Sequence, residues 1–287
     1  MGGRARQGHG QAVRARALRR EPAGRRRVRS RRVHRRADRS LPRLARSLRP
    51  LARRGPVPPG ENRPVNDPRS APLRARVTGP VAAALLLLAG VLIALAATGV
   101  LQSGDTETAI GLAADRIPGV TVVALVVTEL GNTVGSTAVA LVGAAVLGLR
   151  GRAAEGLCLA AVPLVASVVF TVIKQLLDRA RPPADLQVTF IANESLPSGH
   201  ATMVAAAWTA LVLVLWPVLR PRGRVLLTAF AVLWAGAVGF TRIYLGVHWL
   251  SDVLAGWTLG AALAFTGVTV LSLVLYRRTR RRDVTAA

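Results

Sequence analysis

Between Pro80 and Leu101 the chain runs for 22 residues without a charged side chain. At ~1.5 Å per residue, a helix of that length crosses a hydrocarbon core of ~30 Å. More apolar runs follow. Val120–Leu149 is too long for one span and is interrupted by Glu129, Gly131 and Asn132. It is expected to hold a short interfacial helix to about Glu129 and a span from about Asn132. Further spans are expected at about 154–177, 199–217, 224–241 and 252–275. The expected fold class is all-α, a bundle of six transmembrane helices.

Charge and hydropathy are segregated along the chain. There are 39 basic against 14 acidic residues and a formal net charge of +25, yet the mean hydropathy is +0.38. Residues 1–79 hold 24 arginines against four acids (Glu21, Asp38, Glu61 and Asp67), and the remainder holds most of the apolar content. An ordinary soluble globular protein is excluded by this division. Residues 1–77 show no helical or strand period, so a disordered basic tail is expected there. No apolar run follows the first charges until residue 80, which argues against a secretory signal. Attraction to anionic lipid or nucleic acid is one reading of the tail. A solvated tail, or translated sequence upstream of the true start, is another; no specific nucleic-acid recognition is expected. The single cysteine, Cys158, excludes an internal disulfide and any cysteine-based zinc site and reads as a small buried hydrophobe.

Orientation follows from the arginines. Arg150 and Arg152 lie between spans two and three, and Arg220, Arg222 and Arg224 between spans four and five. Arg277, Arg278, Arg280, Arg281 and Arg282 follow span six. With six spans, these clusters and the tail fall on one side, which the positive-inside rule makes cytoplasmic. Loops 102–131, 178–198 and 242–251 then face outward. The expected domains are the tail 1–77, a six-span body 78–276 and a short basic cytoplasmic tail 277–287, in an inner (plasma) membrane.

Ionisable groups at membrane depth are costly and are functional candidates by default. The only lysine, Lys174, lies near the outer end of span three, with Arg181 beyond it. Ser198, Gly199 and His200 open span four, Arg242 closes span five, and His248 and Asp252 open span six. All these ends face outward in the expected topology. Lys174 and Arg181 are seven apart, so two helical turns would align them until Pro182 ends the helix. His248 and Asp252 at i, i+4 would share a helical face, the carboxylate taking one imidazole N–H. Pro197-Ser-Gly-His200 places a hydroxyl and a bare backbone at a helix N-terminus, where N–H groups suit an anion. Three cations, a helix N-terminus and two histidines describe a phosphate site with a nucleophile and a proton donor. No carboxylate cluster suggests a divalent metal, and no cofactor is expected. Asp178, Arg179, Asp185 and Glu194 in the same loops read as solvated and stand outside the candidate site.

Lys174-Gln-Leu-Leu-Asp-Arg-Ala-Arg181-Pro182, Pro197-Ser-Gly-His200 and Arg242-Ile-Tyr-Leu-Gly-Val-His248-Trp-Leu-Ser-Asp252 resemble the three-part signature of the type-2 phosphatidic acid phosphatases (PAP2). That superfamily includes bacterial lipid phosphatases and vanadium-dependent haloperoxidases, and its signature reads KxxxxxxRP, PSGH and SRxxxxxHxxxD. Every charged or histidine position matches with its spacing; Thr241 replaces the usual Ser and keeps the hydroxyl. The resemblance covers about residues 80–276. It implies a metal-independent phosphatase in which His248 attacks phosphorus, Asp252 holds its tautomer and His200 protonates the leaving oxygen. Lys174, Arg181, Arg242, Ser198 and the Gly199 N–H would bind the phosphate oxygens. An amphiphilic substrate is expected, an isoprenoid diphosphate such as undecaprenyl diphosphate or a phosphatidate-type lipid. Transfer of the phosphoryl group to a lipid alcohol is the enzymatic alternative. A non-catalytic transporter or scaffold is the remote one, because spans four to six carry few polar residues away from their outer ends.

Overall fold

The computed structural model describes residues 71–285, which contain eight α-helices and no strand. They are α1 (Ala71–Ala97), α2 (Gln102–Ala114), α3 (Pro118–Leu130), α4 (Thr133–Leu149), α5 (Ala153–Leu177), α6 (Gly199–Leu215), α7 (Pro221–Tyr244) and α8 (Leu250–Thr285). A single 3₁₀ turn, Ala184–Leu186, sits in the long loop between α5 and α6. The expected tail up to residue 70 lies outside the described residues, while its last seven positions already belong to α1. The basic run after residue 276 is likewise helical as far as Thr285.

Local chemistry marks the helix starts. Pro118 and Pro221 occupy the first turns of α3 and α7, where a missing N–H costs no intrahelical bond. Asn132 caps α4 by accepting from the Gly135 N–H at 2.8 Å. The chain bends by 47° between α3 and α4, at Gly131 and Asn132, where the sequence expected the run to break. The helix α2, in the segment between α1 and α3, was not expected.

Four helices, α1, α5, α7 and α8, are long and apolar enough to cross a membrane, and the bent pair α3–α4 makes a fifth when taken as one span. The sixth expected span is α6, which is apolar but only 17 residues long. It is the most enclosed helix, burying Ala201, Met203, Val204, Ala206, Ala207 and Val214. Its core cluster joins α4, α5, α6 and α8 through Leu147, Leu159, Met203, Val214 and Val268. Large apolar side chains point outward instead around the bundle, among them Leu87 (70% exposed), Leu164 (67%) and Leu233 (72%). Water would penalise so broad an apolar girdle; lipid does not.

Candidate active site

The ends of α5, α6, α7 and α8 meet beneath the 178–198 loop. At the end of α5, Asp178 takes a left-handed conformation (φ 44°) and donates its N–H to the Lys174 carbonyl. The helix therefore stops at Leu177, and Arg181 lies in the loop rather than two turns along the helix from Lys174. The two cations still converge, because both hold the same stretch of loop. The buried Lys174 ammonium donates to the carbonyls of Glu194 and, at 3.3 Å, Ser195. Arg181 donates to the Asn193 carbonyl (2.6 Å), the Asn193 side-chain oxygen (2.6 Å) and the Glu194 carbonyl (3.2 Å). It also donates to the Val247 carbonyl.

The second helical expectation is corrected too. His248 precedes α8, which begins at Leu250, so His248 and Asp252 do not share a helical face. Asp252 sits in the first turn and accepts from the Trp249 backbone N–H at 3.0 Å. This is the reciprocal half of a capping box, and it draws the carboxylate back toward the residue before the helix. The result is a His248 Nδ1 to Asp252 Oδ2 distance of 3.3 Å. The turn carrying His248 depends on Gly246 (φ 69°), where a Cβ would run into the Leu186 carbonyl and the Arg116 guanidinium.

The other imidazole nitrogen, Nε2, lies 3.1 Å from Arg181 Nη1. A guanidinium can only donate, so Nε2 accepts and the proton sits on Nδ1, facing Asp252. Burial pushes the His248 pKa well below its ordinary 6.5, and Arg181, Arg242, Lys174 and His200 push it further in the same direction. A neutral imidazole with its lone pair on Nε2 follows. Burial also pulls Arg181 down, to about 10, which leaves it charged at neutral pH.

Ser198 is the residue preceding α6, yet its side chain does not cap the helix, and its buried hydroxyl has no partner. The first-turn N–H groups of Gly199 and His200 are thereby left without a side-chain acceptor. Gly199 brings this helix end against α5, since a Cβ there would meet the Phe170 ring at 3.2 Å. From α7, the buried Arg242 donates to Thr128 of α3 at 2.7 Å, while its Nε has no partner. Buried donors without acceptors are costly, and the Ser198 hydroxyl and Arg242 Nε are two such groups. An oxyanion is the kind of ligand that such donors suit.

All eight residues singled out from sequence thus reach one region: Lys174, Arg181, Ser198, Gly199, His200, Arg242, His248 and Asp252. Others went unrecognised. Asp178 and Asp185 are exposed, as a solvated reading requires, but the Arg179 side chain is only 8% exposed and pairs with Asp252 and Asp105. Ser195 is fully buried and donates to Asp252. Nothing in the sequence distinguished Arg179 from the solvated charges beside it; the single usable signal was its place inside the first motif.

The profile of the PAP2 superfamily matches residues 155–282, a segment holding all eight of these residues. The undecaprenyl-diphosphatase of Sulfolobus acidocaldarius is 32% identical over 114 residues, 38% of this chain and 52% of that protein. The chain thus spans about half the length of that relative. The decaprenylphosphoryl-5-phosphoribose phosphatase of Mycobacterium tuberculosis is 36% identical over 135 residues, 46% of this chain and 69% of that protein. Among solved structures, the transmembrane PAP2-type phosphatidylglycerolphosphate phosphatase of Bacillus subtilis superposes with a TM-score of 0.59 at 27% identity. That superposition covers 65% of this chain and 93% of the other. Motif spacing, helical architecture and sequence identity agree, and the chain belongs to the PAP2 superfamily.

Proposed function

We propose that the protein is a multi-pass membrane lipid phosphatase that removes phosphate from a lipid phosphomonoester or diphosphate without a metal ion, through a phosphohistidine. The observation that carries this is the state of His248. Its Nε2 carries the lone pair, which accepts from Arg181 at 3.1 Å in the resting site, and its Nδ1–H is directed at Asp252 among fixed cations. In the first step Nε2 bonds to phosphorus as the bond to the lipid oxygen breaks, and His200 gives that oxygen a proton. In the second, His200 takes a proton from water as the water oxygen attacks phosphorus and the P–N bond breaks. Lys174, Arg181, Arg242, the Ser198 hydroxyl and the Gly199 N–H hold the equatorial oxygens as their charge grows.

In this reading α6 and the bent α3–α4 pair each count as one span, giving six. Both termini are cytoplasmic and the site faces outward, because Arg150 and Arg152, Arg220, Arg222 and Arg224, and the arginines from Arg277 to Arg282 then share the cytoplasmic side. An apolar crevice of about 800 Å³ supports an amphiphilic substrate; its walls include Arg74, Ala205, Trp216, Ala231, Trp257 and Ala261. Ala205 and Trp257 each lie five residues beyond His200 and Asp252, roughly 7 Å further along their helices at ~1.5 Å per residue. A phosphate held at the site thus places its lipid chain within reach of the crevice. The relatives' names supply the candidate substrates: an undecaprenyl diphosphate, a phosphatidylglycerophosphate or a decaprenylphosphoryl sugar phosphate.

The test is release of inorganic phosphate from a panel of these lipids by the purified full chain, with a chelator present. Acid-labile radiolabel on the protein after a brief pulse, lost in His248→Ala, is the expected sign of the phosphohistidine. Activity that disappears with chelator, or persists in His248→Ala, overturns the mechanism. Label passing to an added lipid alcohol instead of to free phosphate would reassign the enzyme as a phosphotransferase.

A further inference from the structure

Arg179, read from sequence as a solvated loop charge, is clasped between two carboxylates from different helices. Its Nη1 lies 2.6 Å from Asp252 Oδ1 of α8, and its Nη2 lies 2.8 Å from Asp105 Oδ2 of α2. Nη1 also donates to Ser251 Oγ at 2.8 Å and Nη2 to Gln102 Oε1 at 3.2 Å, and the guanidinium rests over the Trp249 ring at 5.8 Å. Asp105 is anchored in turn: it accepts from the Ser251 N–H at 2.9 Å and from Ser251 Oγ at 2.5 Å. Asp105, Ser251 and Asp252 are 3%, 2% and 0% exposed. None of these contacts touches the cluster where phosphate would bind. One of them, the Arg179–Asp252 pair, acts directly on the carboxylate behind the nucleophile, and the others hold Arg179 and Asp105 in place.

Asp252 accepts on both oxygens. Arg179 takes Oδ1, while Ser195 Oγ, the Trp249 N–H and His248 Nδ1 face Oδ2. With Oδ1 held by the guanidinium, the carboxylate cannot rotate, and Oδ2 stays aimed at the imidazole. Resting on the phosphatase reading above, we propose that Asp105 and Arg179 are positioning residues for the nucleophile. The Asp105–Arg179 pair locks the Asp252 carboxylate so that His248 keeps its proton on Nδ1 and its lone pair on Nε2. The helix α2 is the element that completes this lock, through Asp105, from outside the three signature motifs.

The proposal makes opposite electrostatic demands on the two residues. The His248–Asp252 pair titrates as a unit. It faces Lys174 from α5, Arg179 and Arg181 from the 178–198 loop, His200 from α6 and Arg242 from α7. Glu194 of that loop and Glu129 of α3 act at one remove through Lys174, Arg181 and Arg242. Removing the Arg179 charge makes the pair take up a proton more readily; removing the Asp105 charge makes it do so less readily.

The experiment measures kcat, KM and the pH dependence of kcat/KM for the full chain in detergent, with a short-chain phosphatidate as probe. Arg179→Gln is expected to lower kcat by about thirtyfold or more, since tautomer control is worth large factors, and to leave KM within about threefold. Its acid limb moves up by about half a pH unit or more. Arg179→Lys restores the charge, and with it the wild-type limb and a kcat within about tenfold of the wild type. Asp105→Asn lowers kcat and moves the limb down. A folded Arg179→Gln with wild-type kcat and limb, a loss confined to KM, or limbs moving the same way in both variants overturns the proposal. Where Arg179→Gln does not fold, Asp105→Asn decides alone, and wild-type values in it overturn the proposal. Wild-type protein that releases no phosphate from any probe overturns the phosphatase reading first and this one with it.

Discussion

Arg181 Nη1 donates to His248 Nε2 across 3.1 Å, so a guanidinium occupies the lone pair that would attack phosphorus. In the proposed mechanism an incoming phosphate offers Arg181 a stronger, charged acceptor and releases that lone pair as it binds. In that mechanism the same side chain would protect the resting nucleophile and engage the substrate. Arg181→Ala is expected to lower kcat/KM by about 10²–10³ through the lost transition-state contacts. Arg181→Lys should recover little, because a point charge cannot reach Asn193, Glu194 and His248 together. Steady-state kinetics with thermal unfolding as a folding control checks both.

His248 gives stability a defined pH dependence. Its pKa is depressed in the folded protein, so below about 6.5 the unfolded chain binds a proton that the folded chain excludes. The stability contributed by the neutral imidazole is full above that value and falls as the pH drops below it, by at most ~1.4 kcal/mol per pH unit. Thermal unfolding in detergent between pH 8 and pH 5 should show a shallower acid decline in His248→Asn than in the wild type. An equal decline in both would contradict the burial of a neutral imidazole.

Ser198 separates function from stability. Its hydroxyl is buried without a partner, so Ser198→Ala removes an unsatisfied group and should change unfolding stability by no more than ~0.5 kcal/mol in the unfavourable direction. Activity should fall by about tenfold or more, as for loss of one donor to a developing oxyanion. A variant equally active, or markedly less stable, would count against an anion at that hydroxyl.

The crevice below the site makes a prediction about chain length. Ala261 lines it, and Ala261→Phe would fill part of its about 800 Å³. KM for long-chain lipid phosphates is expected to rise by about fivefold or more, while a short-chain soluble phosphate ester is hydrolysed as before. Parallel assays on the two substrate lengths check this, and equal effects on both would remove the crevice from substrate binding.

The apolar runs located every helix among the described residues except α2, and the rare charges pointed to eight residues that the fold gathers at one end of the bundle. A charge-free run of membrane length has few alternatives to a helix, and an ionisable group beside it needs a reason to be there. Tertiary structure alone decided how those residues meet. Helical spacing suggested that Lys174 aligns with Arg181 and His248 with Asp252. In fact a left-handed Asp178 ends α5 early, and a cap at Trp249 draws Asp252 back to His248. The supporting set of Asp105, Arg179 and Ser195 was not legible, since a loop charge looks the same in sequence whether water or a buried carboxylate surrounds it. Arg179 is separated from Asp105 by 74 positions and from Asp252 by 73, and only the packing of α2 against the start of α8 brings the three together.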